Sequence, residues 1–201
     1  MATRPYRSRQ ARTRSQETRR KIVAAVREML AEGTFHEASV EQVAERAGIS
    51  RATVYQHFGS RLDLIDSVCD VMGVNPALVE LRKDVGLPDA TQALRKTLAD
   101  TVRFWSSESG VVRALYGVVE LDPAARAFVD RQTKDRTSEL GRLADNLSKS
   151  GRLRAGVTKA RAHVVLLLLT SWGTYLELRQ AGLSDRQVTS FLQETAEREL
   201  F

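Results

Sequence analysis

Two short helical segments, separated by a turn of three residues, constrain this chain more than any other feature of its sequence. In the first, residues 39–47, Ser39 and Gln42 have the spacing of a capping box at a helix start. Its apolar residues recur at the spacing of one helical face: Val40, Val43, Ala44 and Ala47. The second segment, residues 51–58, follows Ser50 as its N-cap. Such a short connection predicts two helices that cross steeply, as in a helix-turn-helix unit.

A helix-turn-helix unit needs particular residues where its two helices cross, and this chain has them. Ala44 is small enough for a close approach, and Gly48 can adopt a positive φ in the turn. Val54 can point back into the core from the second helix, and Ile49 can close the turn. Because each of these features is common alone, it is their joint occurrence that predicts a recognition helix.

Most other side chains of the second helix are polar, and we expect them to face DNA. We expect Arg51 and Thr53 to contact base edges and Tyr55 and His57 to contact phosphates, while Gln56 is left unassigned. The alternative is a short surface helix of a helical bundle, in which Tyr55 packs against its neighbours. Phe58 belongs to the core in either case.

Three residues at helix starts complete the predicted DNA-binding set. Ser39 and Ser50 are the two N-caps, and Arg61 lies at the start of the next helix. A cation is poorly placed against the positive end of a helix dipole. A bound phosphate would satisfy both the guanidinium and the free N–H groups there.

The positive charge of the chain is concentrated at its N-terminal end. Residues 1–21 contain eight Lys or Arg and one Glu, a net charge of +7, so residues 22–201 carry −1 of the total of +6. We expect residues 1–14 to form a basic flexible arm that reaches along the DNA minor groove. A solubilising tail and an organelle transit peptide are the alternatives.

The rest of the chain is also expected to be helical, which predicts an all-α fold. We expect a helix-turn-helix domain over residues 15–60, with its first helix capped by Thr13 or Ser15, and a larger helical domain over residues 61–201. Apolar periodicity and capping residues predict the helices of that larger domain at residues 89–107, 110–119, 123–149, 159–181 and 185–200.

Several other classes of protein are disfavoured by what the sequence lacks. The single cysteine, Cys69, permits no intrachain disulfide, and the longest aliphatic run, residues 164–169, is too short to span a bilayer. We therefore expect a soluble cytoplasmic protein that does not bind membranes. His36, His57, His163 and Cys69 lack the spacing of metal ligands, and no catalytic constellation is present, so we expect neither a metal, a cofactor nor an enzyme.

Residues 34–65, TFHEASVEQVAERAGISRATVYQHFGSRLDLI, resemble the DNA-binding domain of the TetR family of bacterial transcriptional regulators. The shared signature is an Ala-Gly-Ile-Ser turn, the Tyr-x-x-Phe of a recognition helix, and a Ser-Lys-x-x-Leu entry into the next helix. This chain has Arg61 in place of that lysine, so the positive charge is kept. The resemblance supports the roles expected of Arg51, Thr53, Tyr55 and His57.

The resemblance also implies an effector-binding core and a dimer formed by the last two helices. Aromatic residues of the larger domain are candidates for the effector pocket, although their helical spacing is equally typical of core packing: Phe104, Trp105, Tyr116, Phe128, Trp172 and Tyr175. The candidates for the dimer interface are Leu166, Leu169, Gly173, Leu176, Val188, Phe191 and Thr195.

We therefore expect a ligand-responsive regulator, a repressor, that binds a palindromic double-stranded DNA operator as a homodimer. A small and largely apolar effector would release it. The alternative is a helical protein-interaction or architectural protein that keeps the helix-turn-helix as a scaffold.

Overall fold

A computed structural model describes residues 4–121 and 123–201, apart from the side chains of residues 4–9, 120, 121, 123, 124 and 128. Every regular element in this part of the chain is helical, which confirms the predicted all-α class. The elements are α1 (Arg4–Ala31), a 3-10 turn (Phe35–Glu37), α2 (Val40–Ala47), α3 (Arg51–His57), α4 (Arg61–Gly73), α5 (Pro76–Asp84), α6 (Ala90–Leu121), α7 (Pro123–Lys149), α8 (Lys159–Leu169), α9 (Trp172–Gln180) and α10 (Asp185–Leu200).

The chain forms two compact units, whose limits differ from the boundary expected between residues 60 and 61. The first unit extends to Val71 and includes residues 109–129, and the second contains residues 72–108 and 130–201. Within the first unit, α6 approaches α1 closely at Gly110. A Cβ atom at Gly110 would lie 3.1 Å from the Cα atom of Ala31.

The core of the first unit follows the predicted helical spacing. Apolar residues of α1 recur on one face and are buried: Ile22, Val26, Met29 and Leu30. The helix begins at Arg4, well before the expected caps Thr13 and Ser15. Arginine, which occurs five times between residues 4 and 14, has high helix propensity, as do the single glutamine and the single alanine there. The described part of the basic arm is therefore a helical extension of α1, and residues 1–3 lie outside the described residues.

The helices differ from the sequence expectation at two further places in the chain. The expected break between residues 107 and 110 is absent, because α6 continues through it. A further helix, α5, lies before residue 89, where the first of the expected helices listed above for the larger domain begins. Asn75 caps α5 by accepting a hydrogen bond from the Ala77 N–H group at 2.9 Å, and Pro76 occupies its first turn, where no amide donor is needed.

The expected helix over residues 159–181 is instead divided into α8 and α9 at Thr170. The carbonyl oxygen of Thr170 accepts a hydrogen bond from the Trp105 indole nitrogen at 3.0 Å. Arg136 donates to the carbonyl oxygen of Leu167 at 3.2 Å and to the Thr170 hydroxyl at 2.9 Å. Ser171 then caps α9. Side chains from α6 and α7 thus satisfy backbone groups that the interruption leaves free.

No helix among the described residues combines the length and the apolar character needed to cross a membrane.

Candidate nucleic-acid interface

The start of α2 is fixed by the predicted capping box. The Ser39 hydroxyl accepts a hydrogen bond from the Gln42 N–H group at 3.3 Å, and the Gln42 side chain accepts one from the Ser39 N–H group at 2.8 Å. The helix ends at Gly48, whose φ of 65° and ψ of 38° lie in the left-handed region. A side chain at this position would strain the backbone, so the glycine serves the turn as predicted.

The turn between α2 and α3 is closed by backbone and side-chain hydrogen bonds. The Ile49 N–H group donates to the Ala44 carbonyl oxygen at 3.0 Å, and the Ser50 hydroxyl accepts from the Thr53 N–H group at 3.1 Å. Ala44 and Val54 are buried, with Val54 only 1% exposed. The structure confirms the predicted helix-turn-helix packing.

The recognition helix α3 divides into a protein-facing side and a solvent-facing side. Val54 and Phe58 are buried, whereas Arg51, Tyr55 and Gln56 are exposed. The two remaining candidates on α3, Thr53 and His57, are half-buried. The Thr53 hydroxyl lies 2.8 Å from the Ser50 hydroxyl, so part of its hydrogen-bonding capacity is already used within the cap.

Arg51 is held by two neighbouring side chains. Its guanidinium forms an ion pair with the carboxylate of Glu41 in the first turn of α2, and its central carbon lies 5.4 Å from the centroid of the Tyr55 ring. A hydrogen bond with Tyr55 and the negative charge of Glu41 raise the pKa of Arg51. Arg51 and Tyr55, which we expect to have separate roles, are therefore in contact.

Glu41 is a member of this surface that sequence reasoning missed. Its only local signal is a position in the first turn of a helix, where an acidic residue also complements the helix dipole. The proximity of Glu41 to Arg51 depends on the crossing of α2 and α3, and sequence spacing does not report that distance.

Arg61 is engaged by the protein backbone. It donates to the carbonyl oxygens of Ala38, at 2.7 Å, and of Phe35, and its guanidinium lies 4.0 Å from the centroid of the Phe35 ring. Burial lowers the pKa of Arg61. Sequence reasoning missed this packing role, and the phosphate contact of Arg61 stays a prediction.

The N-terminal end of α4 is also capped from within. The Ser60 N–H group donates to the Asp63 carboxylate at 2.9 Å, and the Asp63 N–H group donates to the Ser60 hydroxyl at 3.1 Å. These two bonds satisfy backbone donors that a phosphate was expected to bind.

The basic helix α1 supports the end of α3. The guanidinium of Arg19 lies 4.4 Å from the centroid of the Phe58 ring, and it donates to the His57 carbonyl oxygen at 3.5 Å. Arg12 and Arg14, nearer the start of α1, are exposed. In α1, therefore, Arg19 packs against the end of α3, whereas Arg12 and Arg14 face solvent.

Four of the six effector candidates form one row of aromatic rings in the second unit. Ring centroids are 4.8 Å apart for Phe104 and Trp105, and 5.6 Å apart for both Trp105–Trp172 and Trp172–Tyr175. The Tyr175 hydroxyl donates to the Asp185 carboxylate at 3.1 Å. Burial is the main cause that raises the pKa of Tyr175. Because the rings contact one another and both the Trp105 indole and the Tyr175 hydroxyl have hydrogen-bond partners, this row is part of the packed core.

The other two effector candidates do not belong to this row. Tyr116 lies in the first unit and is 43% exposed. The side chain of Phe128 is outside the described residues.

The residues expected at a dimer interface differ in exposure, and the interface itself stays a prediction. Leu166, Leu169 and Val188 are buried within the chain. Gly173 and Phe191 are exposed, and Leu176 and Thr195 are half-buried. Two apolar residues of α8 that were not expected at an interface, Val164 and Leu168, are 64% and 65% exposed.

Within residues 4–121 and 123–201, no three His, Cys, Asp or Glu side chains are placed together so that they could hold a metal ion.

Comparisons with known proteins point to one family. A family model for bacterial regulatory proteins of the tetR family matches residues 22–68, which include α2, α3 and most of α4. The HTH-type transcriptional regulator SrpR from Pseudomonas putida is 26% identical over 95 residues, which are 47% of this chain and 44% of that protein. The chain thus matches less than half the length of this relative.

Solved structures share the fold over nearly the whole chain. A TetR-family transcriptional regulator from Rhodococcus sp. has a TM-score of 0.74 at 20% identity, covering 92% of this chain and 100% of that one. The transcriptional regulator FadR from Bacillus subtilis, in complex with stearoyl-CoA, has a TM-score of 0.72 at 16% identity, covering 90% and 98%.

Proposed function

Since the chain belongs to the TetR family of bacterial regulatory proteins, we propose that it is a ligand-responsive repressor that binds a palindromic DNA operator as a homodimer. One observation carries this function: α3 and its C-cap bury Val54 and Phe58, while the helix exposes Arg51, Tyr55 and Gln56. A helix with so little protein-facing surface has a polar face available for the major groove. Arg and Gln contact base edges there, and Tyr55 contacts phosphate.

The basic segment adds affinity through phosphates. Because an α-helix is about 10–12 Å wide and the minor groove about 6 Å, the helical residues 4–14 run along the DNA backbone and do not enter the groove. Each phosphate that Arg12 or Arg14 neutralises contributes about 0.9 to the salt dependence of binding.

A homodimer places two recognition helices on two half-sites. Exposed apolar side chains on α8 and α10 support this assembly, because a second copy of the chain removes them from water: Val164, Leu168 and Phe191. In such a dimer the half-site centres lie about 34–36 Å apart, or a multiple of that distance.

A small, largely apolar effector binds within residues 85–180 and alters the spacing of the two recognition helices. Release follows because two helices at a changed distance no longer fit both half-sites. The stearoyl-CoA held by the Bacillus subtilis neighbour has an apolar acyl chain and a charged CoA part, so by analogy of fold it supports an apolar chain in the effector.

The test is selection of bound DNA from a pool of duplexes with a randomised core, followed by affinity measurements at several salt concentrations. We expect an enriched palindrome and a steep fall of affinity with salt. Binding without any enriched sequence would contradict the proposal and would favour the architectural alternative.

A further inference from the structure

We infer that Glu41 is a positioning residue for base recognition, whose carboxylate orients the Arg51 guanidinium toward a guanine in the major groove. The inference rests on the proposed function, because it concerns how the same surface chooses its DNA sequence. It assigns a role to a residue of α2, outside the recognition helix.

The first step is the placement of Arg51. It is the first residue of α3, and the N-terminal residues of a recognition helix contact base edges. Its side chain is 58% exposed and that of Glu41 is 52% exposed, so the ion pair between them lies at the surface. An arginine in this position is accessible to DNA while the protein still holds it.

The second step is the set of donors that remain. A guanidinium has five N–H donors in a planar fork. Glu41 engages Nη1 of Arg51, and Tyr55, whose ring lies 5.4 Å from the central carbon, is its second hydrogen-bond partner. With one donor given to each, three N–H groups remain, and two of them suffice for the O6 and N7 atoms of guanine, the pairing that arginine forms with both atoms.

The third step is the effect of holding a flexible side chain before it binds. An unrestrained arginine loses rotamer freedom on binding a base and reaches a phosphate as readily as a guanine. Contacts with Glu41 and Tyr55 reduce that loss and direct the guanidinium. The carboxylate also repels phosphates, so it weakens non-specific binding while it favours the base contact.

These opposite effects separate a positioning role from a structural one. In Glu41→Gln, which keeps the shape of the side chain and removes its charge, we expect guanine preference at the Arg51 position to fall about fivefold or more. Binding to a scrambled duplex is expected to become tighter. Loss of structure alone would weaken binding to both duplexes.

The experiment uses the full chain and the duplex selected by the wild type. Arg51→Lys identifies the base pair that Arg51 contacts, because lysine keeps the charge and loses the bidentate geometry. Affinities of wild type and Glu41→Gln are then compared for all four base pairs at that position. The matched control is Glu45→Gln, which removes the same charge from an exposed residue one turn further along α2. The control is expected to tighten binding to the scrambled duplex and to leave the guanine preference unchanged.

The outcomes are distinguishable. If the wild type selects no sequence, the proposed function fails. If the wild type selects a sequence but Arg51→Lys alters no single position, or Glu41→Gln keeps the wild-type guanine preference, the role of Glu41 is overturned and the proposed function stands.

Discussion

The guanidinium of Arg61 lies over the ring of Phe35, 4.0 Å from its centroid, and donates to the carbonyl oxygens of Phe35 and Ala38. This contact joins the start of α4 to the turn that precedes α2. It therefore helps to fix α2, which Ser39 caps and which carries Glu41, within the first unit.

Replacement of Arg61 by alanine is expected to lower the free energy of unfolding by about 1–2 kcal/mol, because two backbone carbonyls lose a charged donor. The free energy of unfolding of Arg61→Lys is expected to lie between those of the wild type and Arg61→Ala. The lysine ammonium is a point charge, so it reproduces neither the planar stacking nor both hydrogen bonds. Urea denaturation of the three proteins measures the difference, with Arg12→Ala as a control at an exposed position of α1. If Arg61→Ala keeps the wild-type urea midpoint and its DNA binding depends less on salt, Arg61 contacts phosphate and does not stabilise the fold.

Two glycines of α6 provide a matched test of the close approach to α1. A Cβ atom at Gly110 would lie 3.1 Å from the Ala31 Cα atom and 3.3 Å from its carbonyl oxygen, whereas a Cβ atom at Gly117 meets nothing within 4 Å. Gly117→Ala is expected to stabilise the protein by about 0.5–1 kcal/mol through helix propensity. In Gly110→Ala the same gain in helix propensity is expected to be outweighed by overpacking against α1, so that the variant is less stable than wild type. Equal melting temperatures for the two variants would contradict the close contact.

The buried carboxylate of Asp100 predicts a pH dependence of stability. Burial raises the pKa of Asp100 above its usual value, the ion pair with Arg103 opposes this, and the neighbouring Asp84 carboxylate adds to it. A carboxyl group whose pKa is higher in the folded state binds its proton more tightly there. Its contribution to stability is therefore fully present below the unfolded pKa of about 4, and it is lost as the pH rises through the folded pKa.

Asp100→Asn removes this titration and keeps a side chain that can donate to Asp84. We expect the variant to be more stable than wild type at pH 7, with the difference shrinking toward pH 4. Denaturation curves between pH 4 and pH 8 measure it, and Asp70→Asn is the control because Asp70 is exposed. A difference that stays constant across this range would exclude the proposed titration.

Leu168, which is 65% exposed on α8, is expected to lie in the dimer interface. Leu168→Glu should shift sedimentation from dimer to monomer, because an interface that excludes water cannot accommodate an unpaired carboxylate. Val79→Glu, at an exposed apolar residue of α5, is expected to leave the assembly unchanged. A monomeric wild type, or a dimeric Leu168→Glu, would contradict this interface.

Sequence reasoning succeeded where local interactions determine structure. Ser39 and Ser50 cap their helices through bonds to residues three positions away, and Gly48 adopts the required positive φ. These features depend on neighbours along the chain, so residue type and spacing are sufficient to predict them.

Sequence reasoning failed where contacts between distant segments of the chain determine the structure. The aliphatic run at residues 164–169 has no helical periodicity, so it did not indicate that Leu166 faces inward while Val164 and Leu168 face outward. At the interruption, the carbonyl oxygen of Thr170 accepts a hydrogen bond from Trp105, which lies 65 residues away in the chain. The pairing of Arg51 with Glu41 likewise depends on the helix crossing.

The claim that the solvent-facing side of α3 determines which DNA sequence is bound is tested most directly by a ratio of two affinities. One is for the selected duplex and the other for a scrambled duplex of equal length. The wild type is expected to bind the selected duplex at least about 10³-fold more tightly at physiological salt. A variant with alanine at Arg51, Tyr55 and Gln56, all exposed, is expected to remain folded and to bind both duplexes with nearly equal affinity. A folded triple variant that keeps the wild-type ratio would show that α3 does not determine the DNA sequence.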